Sequence, residues 1–227
     1  MLSLDRRLSL IASFVESNSR VCDVGCDHGF LSAYLYRRGD IVSVCATDIN
    51  EKPLLNAQKT FEKLGIDGIP LYLCDGLEKI DKTIADTVII AGMGGEVISV
   101  IIDRAPFLRD TGVSIILQPM TSVSNLRRYL AQNGFDVIKE SAVSEKGKVY
   151  SVMLVRFGGQ PHELSPLKER IGEIKNNSQD DLLYIERQIN LLREYIENIK
   201  KVPQKENELK TAESTLNKLK ELAHIGI

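Results

Sequence analysis

Arg20-Val-Cys-Asp-Val-Gly-Cys-Asp-His-Gly-Phe30 sets carboxylates at 23 and 27 and glycines at 25 and 29 between a short β-branched run and the helical-looking Leu31–Arg38. A strand that stops in a tight glycine-containing turn and restarts as a helix offers unpaired backbone N–H groups and a positive dipole end to a ligand. Similar residues recur after later apolar runs: Asp48 in Ala46-Thr-Asp-Ile-Asn50, Asp75-Gly76, Ala91-Gly-Met-Gly-Gly95 and Gln118-Pro-Met120. In open parallel sheets, ligands bind beyond the carboxyl ends of the strands, where strand order reverses. A carboxylate ending the second strand can accept both hydroxyls of a ribose, and Asp75 can accept from the exocyclic amine of an adenine. Taken singly, Asp48 or Asp75 could be a helix cap or a turn residue. Their recurrence at successive strand ends favours one shared ligand.

The elements that must position these residues alternate along the chain. Leu4, Leu8, Ile11, Ala12 and Val15 have helical spacing and predict an N-terminal amphipathic helix over 3–16. Strands are expected at Val21–Gly25, Ile41–Thr47, Ile69–Cys74, Ala85–Ala91 and Val113–Gln118. The intervening helices are Phe30–Arg38, Pro53–Leu64, Gly95–Ile102 and Ser122–Asn133, the last closed by Gly134. Phe135–Ser144 and Val149–Phe157 flank Glu145-Lys-Gly-Lys148 and read as a hairpin. Parallel neighbours need crossovers, so the expected fold is α/β, a doubly wound, Rossmann-like and mostly parallel seven-stranded sheet with an antiparallel terminal strand.

After Gly158-Gly-Gln-Pro161 the composition shifts and aromatic residues nearly vanish. Leu182, Ile185, Ile189, Leu192, Ile196 and Ile199 step by three and four as a heptad seam does, and Leu209, Ala212, Leu216, Leu219 and Ala223 follow Pro203 in the same way. Residues 1–159 are therefore expected to form the ligand-binding domain, and 160–227 an antiparallel, coiled-coil-like α-helical hairpin. That arm is either a self-satisfied structural element or a substrate or dimer contact; its self-sufficient seam favours a monomer. With 227 residues, 43% hydrophobic, the chain can build one substantial core plus this extension. The start lacks a signal-peptide core and no apolar run approaches a membrane span, so a cytoplasmic protein is expected, with no membrane partner. Cys22, Cys26, Cys45 and Cys74 lie in or beside apolar runs without ligand spacing and read as buried small hydrophobes, with no metal expected. A net charge of −2 requires any nucleic acid to be met by a local basic patch.

The choice of ligand turns on Asp27. A dinucleotide turn brings its central glycine against a pyrophosphate, which a carboxylate would repel, whereas the ammonium and sulfonium of S-adenosylmethionine would be attracted. Asp23-x-Gly25-x-Asp27-x-Gly29 resembles the class I methyltransferase pattern with Asp in place of its middle glycine, and Asp tolerates left-handed backbone better than most residues. Asp-Val-Gly-Cys-Asp-His-Gly (23–29), Ile90-Ala-Gly-Met-Gly-Gly95, Leu117-Gln-Pro119, Asn125-Leu-Arg-Arg128 and Arg7-Leu8 together resemble the bacterial TrmK family of tRNA (adenine-22, N1) methyltransferases. The motifs cover 1 to about 157; the remainder matches in architecture alone. The resemblance implies S-adenosylmethionine as cofactor, held by Asp23, Gly25, Asp27, His28, Gly29, Asp48, Asp75, Gly76, Ala91, Gly92, Met93, Gly94 and Gly95. It also implies tRNA as partner.

Adenine N1 is a lone-pair nucleophile with no proton to lose, so positioning rather than general-base catalysis is expected, on a base turned out of its pair. No acceptor-rich Pro-Pro segment follows the fourth strand. His28 would line the site or cap the turn, Met93 would touch the base, and Gln118 would contact base or cofactor or else make a structural hydrogen bond. For the RNA backbone the candidates are Arg6, Arg7, Arg104, Arg109, Arg127, Arg128, Lys146 and Lys148. Two other functions stay open at this level: methylation of a small molecule or protein on the same scaffold, and a non-catalytic RNA- or protein-binding module.

Overall fold

The computed structural model describes residues 2–224, apart from the side chain of residue 203. Seven strands, β1 (Arg20–Val24), β2 (Ser43–Asp48), β3 (Leu71–Leu73), β4 (Thr87–Gly94), β5 (Ser114–Thr121), β6 (Phe135–Glu145) and β7 (Lys148–Phe157), form one sheet in the order β3-β2-β1-β4-β5-β7-β6. β1 to β5 run parallel, and β7 is inserted antiparallel between β5 and β6. Strand order reverses between β1 and β4, and that is the crevice in which such sheets bind ligands.

Both faces of the sheet are buried, because successive residues of each central strand feed opposite cores. Val21, Ile89 and Ile116 pack with Ile11, Leu31, Leu35, Leu54 and Phe61 on the face covered by α1 (Arg6–Ser13), α2 (Phe30–Arg37) and α3 (Glu51–Leu64). Cys22, Val88, Ile90, Ile115 and Leu117 pack with Ile98, Ile102, Leu126 and Leu130 of α4 (Gly95–Asp103) and α5 (Val123–Gln132). The near-continuous apolar runs of these strands are what a doubly covered parallel sheet demands. All four cysteines are buried free thiols within this packing.

The C-terminal region begins with a short helix that heptad reading does not reveal, α6 (Pro166–Ile171), followed by α7 (Gln179–Ile199) and α8 (Glu206–His224). α7 and α8 pack together through Ile185, Ile189, Leu192, Ile196, Ala212 and Leu219, as the seam requires. Leu182 and Leu216, expected in that seam, are only half-buried, while Thr215 is buried and bonds back to the Thr211 carbonyl. The arm is also docked on the sheet: Ala142 and Val149 join its core. Alternate residues of the edge strand β6 bond to it. Glu140 accepts from the Glu173 N–H, the Ala142 N–H donates to Asp181 Oδ1, and Ser144 Oγ donates to Asp180 Oδ1. These contacts cover an edge that would otherwise invite pairing with another strand. Residue 1 and residues 225–227, the outer ends of the two expected domains, lie outside the described residues.

Candidate functional site

The turn after β1 has the conformation its sequence anticipates. Gly25, Asp27 and Gly29 have φ of 72°, 50° and 68°, so Asp27 occupies the left-handed region without a glycine. The Gly25 and Cys26 N–H groups bond to the Thr47 carbonyl, which ties the turn to the end of β2. Gly29 is required twice over: it precedes α2 in left-handed backbone, and a β-carbon there would lie 2.7 Å from the Phe61 ring. Gly29, at the N-cap, has no side chain to cap α2, and Asp23 faces the Ser32 N–H in its first turn, so the N–H groups ahead of Ser32 are those left to the crevice.

A cavity of about 770 Å³ opens at the β1/β4 switch point. One wall is Asp23 of β1 and the turn after it, with Gly25, Asp27 and His28, continued by Ala91 and Gly92 of β4. The opposite wall is built by Asp5, Arg7 and Leu8 around α1 and by Glu145, Lys148 and Tyr150 of the β6–β7 hairpin, with Lys146 at its turn. Sequence reading did not single out Asp5, Glu145 or Tyr150. Alternation along a hairpin places Glu145, Lys148 and Tyr150 on one face through the pairs Glu145–Lys148 and Val143–Tyr150, but only the fold turns that face toward α1.

Asp23 is buried and accepts a 2.6 Å hydrogen bond from Ser32 Oγ. Burial raises its pKa to about 6 against the lowering effect of Ser32, so the carboxylate lacks a full complement of favourable charge around it. Cys26, also in the lining, is pushed well above the ordinary thiol range by burial and then by Asp23 and Asp48, which leaves no thiolate for nucleophilic chemistry. His28 is exposed, with Nε2 3.7 Å from Asp27 Oδ1 and its ring against Phe30; it lines the cavity and makes no hydrogen bond among the described residues.

Asp48, at the end of β2, and Asp75, two residues past β3, are not among the residues that line this cavity, although Asp48 is near enough to act on the Cys26 thiol. Asp48 Oδ1 accepts from the Asn50 N–H at 2.9 Å, which leaves Oδ2 without a hydrogen bond among the described residues. Asp75 Oδ2 pairs with Arg104 at 2.8 Å, and the Gly76 carbonyl accepts from Thr47 Oγ1. The glycine segment divides. Ala91 and Gly92 face the cavity, while Met93 lies over Gly25, where it fills the space a side chain would need. Gly94 abuts Thr121, and a β-carbon on Gly95 would sit 2.7 Å from the Ser122 carbonyl. Gly94 and Gly95, expected to touch the cofactor, are not among the residues lining the cavity: β4 runs on through Gly94 beside Thr121 of β5, and Gly95 lets α4 approach α5.

Gln118 is fully buried. Its Oε1 accepts from Arg7 at 2.7 Å and from the Gly92 N–H at 3.2 Å, and its Nε2 donates to the Pro119 carbonyl. Of the two roles considered for it, the structural one is realised, and through it Arg7 is held at the cavity wall.

The basic candidates separate just as clearly. Arg127 is corrected outright: its side chain is 1% exposed and pairs with Glu140 at 2.5 Å, so no phosphate can reach it. Arg128 forks onto both oxygens of Glu169, Arg109 stacks over Phe135 and Phe157, and Arg6 joins Asp180 and Ser144. Lys146 and Lys148 remain exposed at the cavity mouth, with no ion pair among the described residues.

Asp23 and Asp27 in the lining, the start of α2, and Asp48 at the neighbouring strand end suit a ligand carrying both a cationic group and an adenosine. Comparison with known proteins agrees. A methyltransferase-domain family matches residues 4–153. The tRNA (adenine(22)-N(1))-methyltransferase of Bacillus subtilis is 32% identical over 158 residues, 69% of this chain and 66%, just under two thirds, of that protein. The structure of Streptococcus pneumoniae Sp1610 in complex with S-adenosyl-L-methionine superposes with a TM-score of 0.80 at 30% identity, over 99% of this chain and 100% of the other. The B. subtilis m1A22 tRNA methyltransferase TrmK gives 0.80 at 26% identity, over 98% and 100%. Among the described residues no helix is long and apolar enough to cross a membrane.

Proposed function

We propose, because the chain belongs to the bacterial TrmK family of methyltransferases, that it transfers the methyl group of S-adenosylmethionine to N1 of an adenine in tRNA, adenine 22 by kinship. The observation that carries this reading is the cavity at the switch point, acidic on the β1 turn and closed on its other side by α1 and the hairpin. When bound, S-adenosylmethionine supplies an electrophilic methyl group on a cationic sulfur. Asp48 would receive the ribose hydroxyls, Asp75 the adenine amine while Arg104 steadies its other oxygen, and Asp23, Asp27 and the N–H groups opening α2 the amino-acid end.

No side chain needs to take a proton from N1. The work of the protein is alignment of N1 with the methyl carbon and exclusion of water around it. Gln118 contributes by fixing Gly92 and Arg7, and Lys146 and Lys148 at the mouth would meet the phosphates flanking a turned-out base. The arm satisfies its own seam and the β6 edge, which supports a monomer.

The test is incubation of unmodified tRNA with labelled cofactor followed by nucleoside analysis. N1-methyladenosine is expected; label on another position or on protein refutes the assignment. By calorimetry, Asp48→Ala should weaken S-adenosylmethionine about 10- to 100-fold, the loss of charge-assisted hydrogen bonds. Unchanged affinity would remove Asp48 from the site.

A further inference from the structure

The second wall of the cavity holds a carboxylate with one oxygen committed and one not. Glu145, half-buried at the end of β6, accepts the Arg6 N–H on Oε2 at 3.0 Å, while Oε1 makes no hydrogen bond among the described residues. The Arg6 N–H opens α1, one of the donors a helix cannot satisfy internally, so the positive end of that helix also holds Glu145 in place. Four acidic side chains line the cavity, and the other three are placed for different work. Asp23 lies in β1 and is bonded by Ser32, Asp27 belongs to the turn after it, and Asp5 is exposed and caps α1 through the Leu8 N–H.

An enzyme that alkylates adenine N1 must read the Watson–Crick edge without covering N1. The remaining handle on that edge is the N6 amino group, which only donates, so its reader must be an acceptor on the wall facing the cofactor turn. Methyl transfer then changes the charge of the base. The N1 lone pair forms the bond to the methyl carbon, the carbon–sulfur bond breaks with its pair left on sulfur, and no proton is released. The sulfur becomes a neutral thioether and the adenine a cation whose charge spreads onto N6. A carboxylate at N6 is therefore bound more tightly as the reaction proceeds, which is the condition for accelerating the chemical step. The same carboxylate would face the O6 acceptor of a guanine and reject it.

We propose that Glu145 Oε1 accepts the N6 amino group of the target adenine, selecting adenine and stabilising the positive charge that develops on it. This rests on the tRNA adenine-N1 reading above and adds the residue that reads the base. The test is a cycle between enzyme and substrate. Wild type and Glu145→Gln are each assayed on unmodified tRNA carrying adenine at the target position and on the same tRNA carrying purine there, which keeps N1 and lacks the amino group. Wild type should lose about 10- to 100-fold in kcat/KM on the purine tRNA, and Glu145→Gln a similar factor on the adenine tRNA. On purine the variant should lose no more than about twofold further, because the partner is already gone. S-adenosylmethionine affinity and the thermal midpoint of the variant should match wild type. Penalties that multiply, full wild-type activity on purine tRNA, or a variant as active as wild type on adenine would each overturn the proposal. Full wild-type activity on purine tRNA overturns the proposal whether or not the variant folds, whereas a loss there also contains the weaker nucleophilicity of N1 without its amino group, so the assignment to Glu145 rests on the coupling within the cycle. Failure of wild type to methylate adenine N1 in any tRNA would instead refute the underlying reading, and this proposal with it.

Discussion

Replacing Arg127 by Met should be among the most damaging single changes in the molecule, although the residue lines no part of the crevice. Its guanidinium donates to the Glu169 and Arg170 carbonyls at 3.0 and 2.7 Å, to Tyr184 Oη at 3.0 Å and to Glu140 Oε1 at 2.5 Å. Burial pulls its pKa down, and the Glu140 and Tyr184 contacts outweigh that, so the net shift is upward and the guanidinium stays charged. Met at 127 would strand the Glu140 carboxylate, 0% exposed, and strip partners from two carbonyls of α6. Removing one member of such a pair costs about 3–5 kcal/mol, against a total of about 5–15 kcal/mol for a typical domain. In a chain of this size that lowers the thermal midpoint by roughly 10 °C. Arg127→Met/Glu140→Leu removes the stranded charge as well and should recover half or more of the loss, a coupling of about 2 kcal/mol or more. Urea unfolding of wild type, both single variants and the double measures it, with calorimetry on S-adenosylmethionine showing that the crevice is intact. A single variant within about 1 kcal/mol of wild type, or a double equal to the sum of the singles, would refute the claim that this pair clamps the arm to the sheet.

Asp23, raised to about 6 by burial, holds its proton more tightly in the folded chain than in the unfolded one. Its contribution to stability is therefore greatest below about pH 4 and is lost as pH rises to about 6, a change of about 3 kcal/mol at 1.36 kcal/mol per pH unit. Asp23→Asn should abolish that slope in urea midpoints measured from pH 4.5 to 7, and parallel profiles would show the carboxyl to be unperturbed. The affinity for cationic S-adenosylmethionine should move oppositely, tightening about tenfold from pH 5 to 7 as the carboxylate ionises; a flat calorimetric profile would separate Asp23 from the cofactor. At the hairpin, Lys146 has φ of 49° and Gly147 of 76°, the two-residue turn in which Asn precedes Gly more readily than Lys does. Lys146→Asn should stabilise the fold by about 0.5–1 kcal/mol in urea while lowering the salt slope of tRNA binding by about one. An unchanged slope would remove Lys146 from the RNA surface.

What could be read before folding was whatever depends on short-range order. The apolar runs at 88–90 and 115–117 announce a doubly covered parallel sheet, and the β1 turn forms as written because glycine, or Asp at position 27, must occupy left-handed backbone there. The helical hairpin follows from the spacing at 185–199, since a seam of period 3.5 has few other ways to be buried. Charged residues resisted the same treatment. Arg127 and Arg128 are neighbours of one type, yet one is sealed beneath the arm and the other exposed on Glu169, because helical pitch turns adjacent side chains about 100° apart and only the docked α6 and α7 decide which face is inside.

The sequence by itself determined the crevice: which strands bear the carboxylates, that their ends carry the turns, and that an acidic loop suits a cation better than a pyrophosphate. Those properties reside in residues a few positions apart. Only the tertiary structure decided what stands across from that loop. Asp5 and Arg7 meet Glu145 and Tyr150 across some 140 positions of chain because β7 slots between β5 and β6 and so turns one face of the hairpin toward α1. Long-range pairing of this kind leaves no local periodicity in either segment, and the wall that faces the substrate comes into being only when the sheet is assembled.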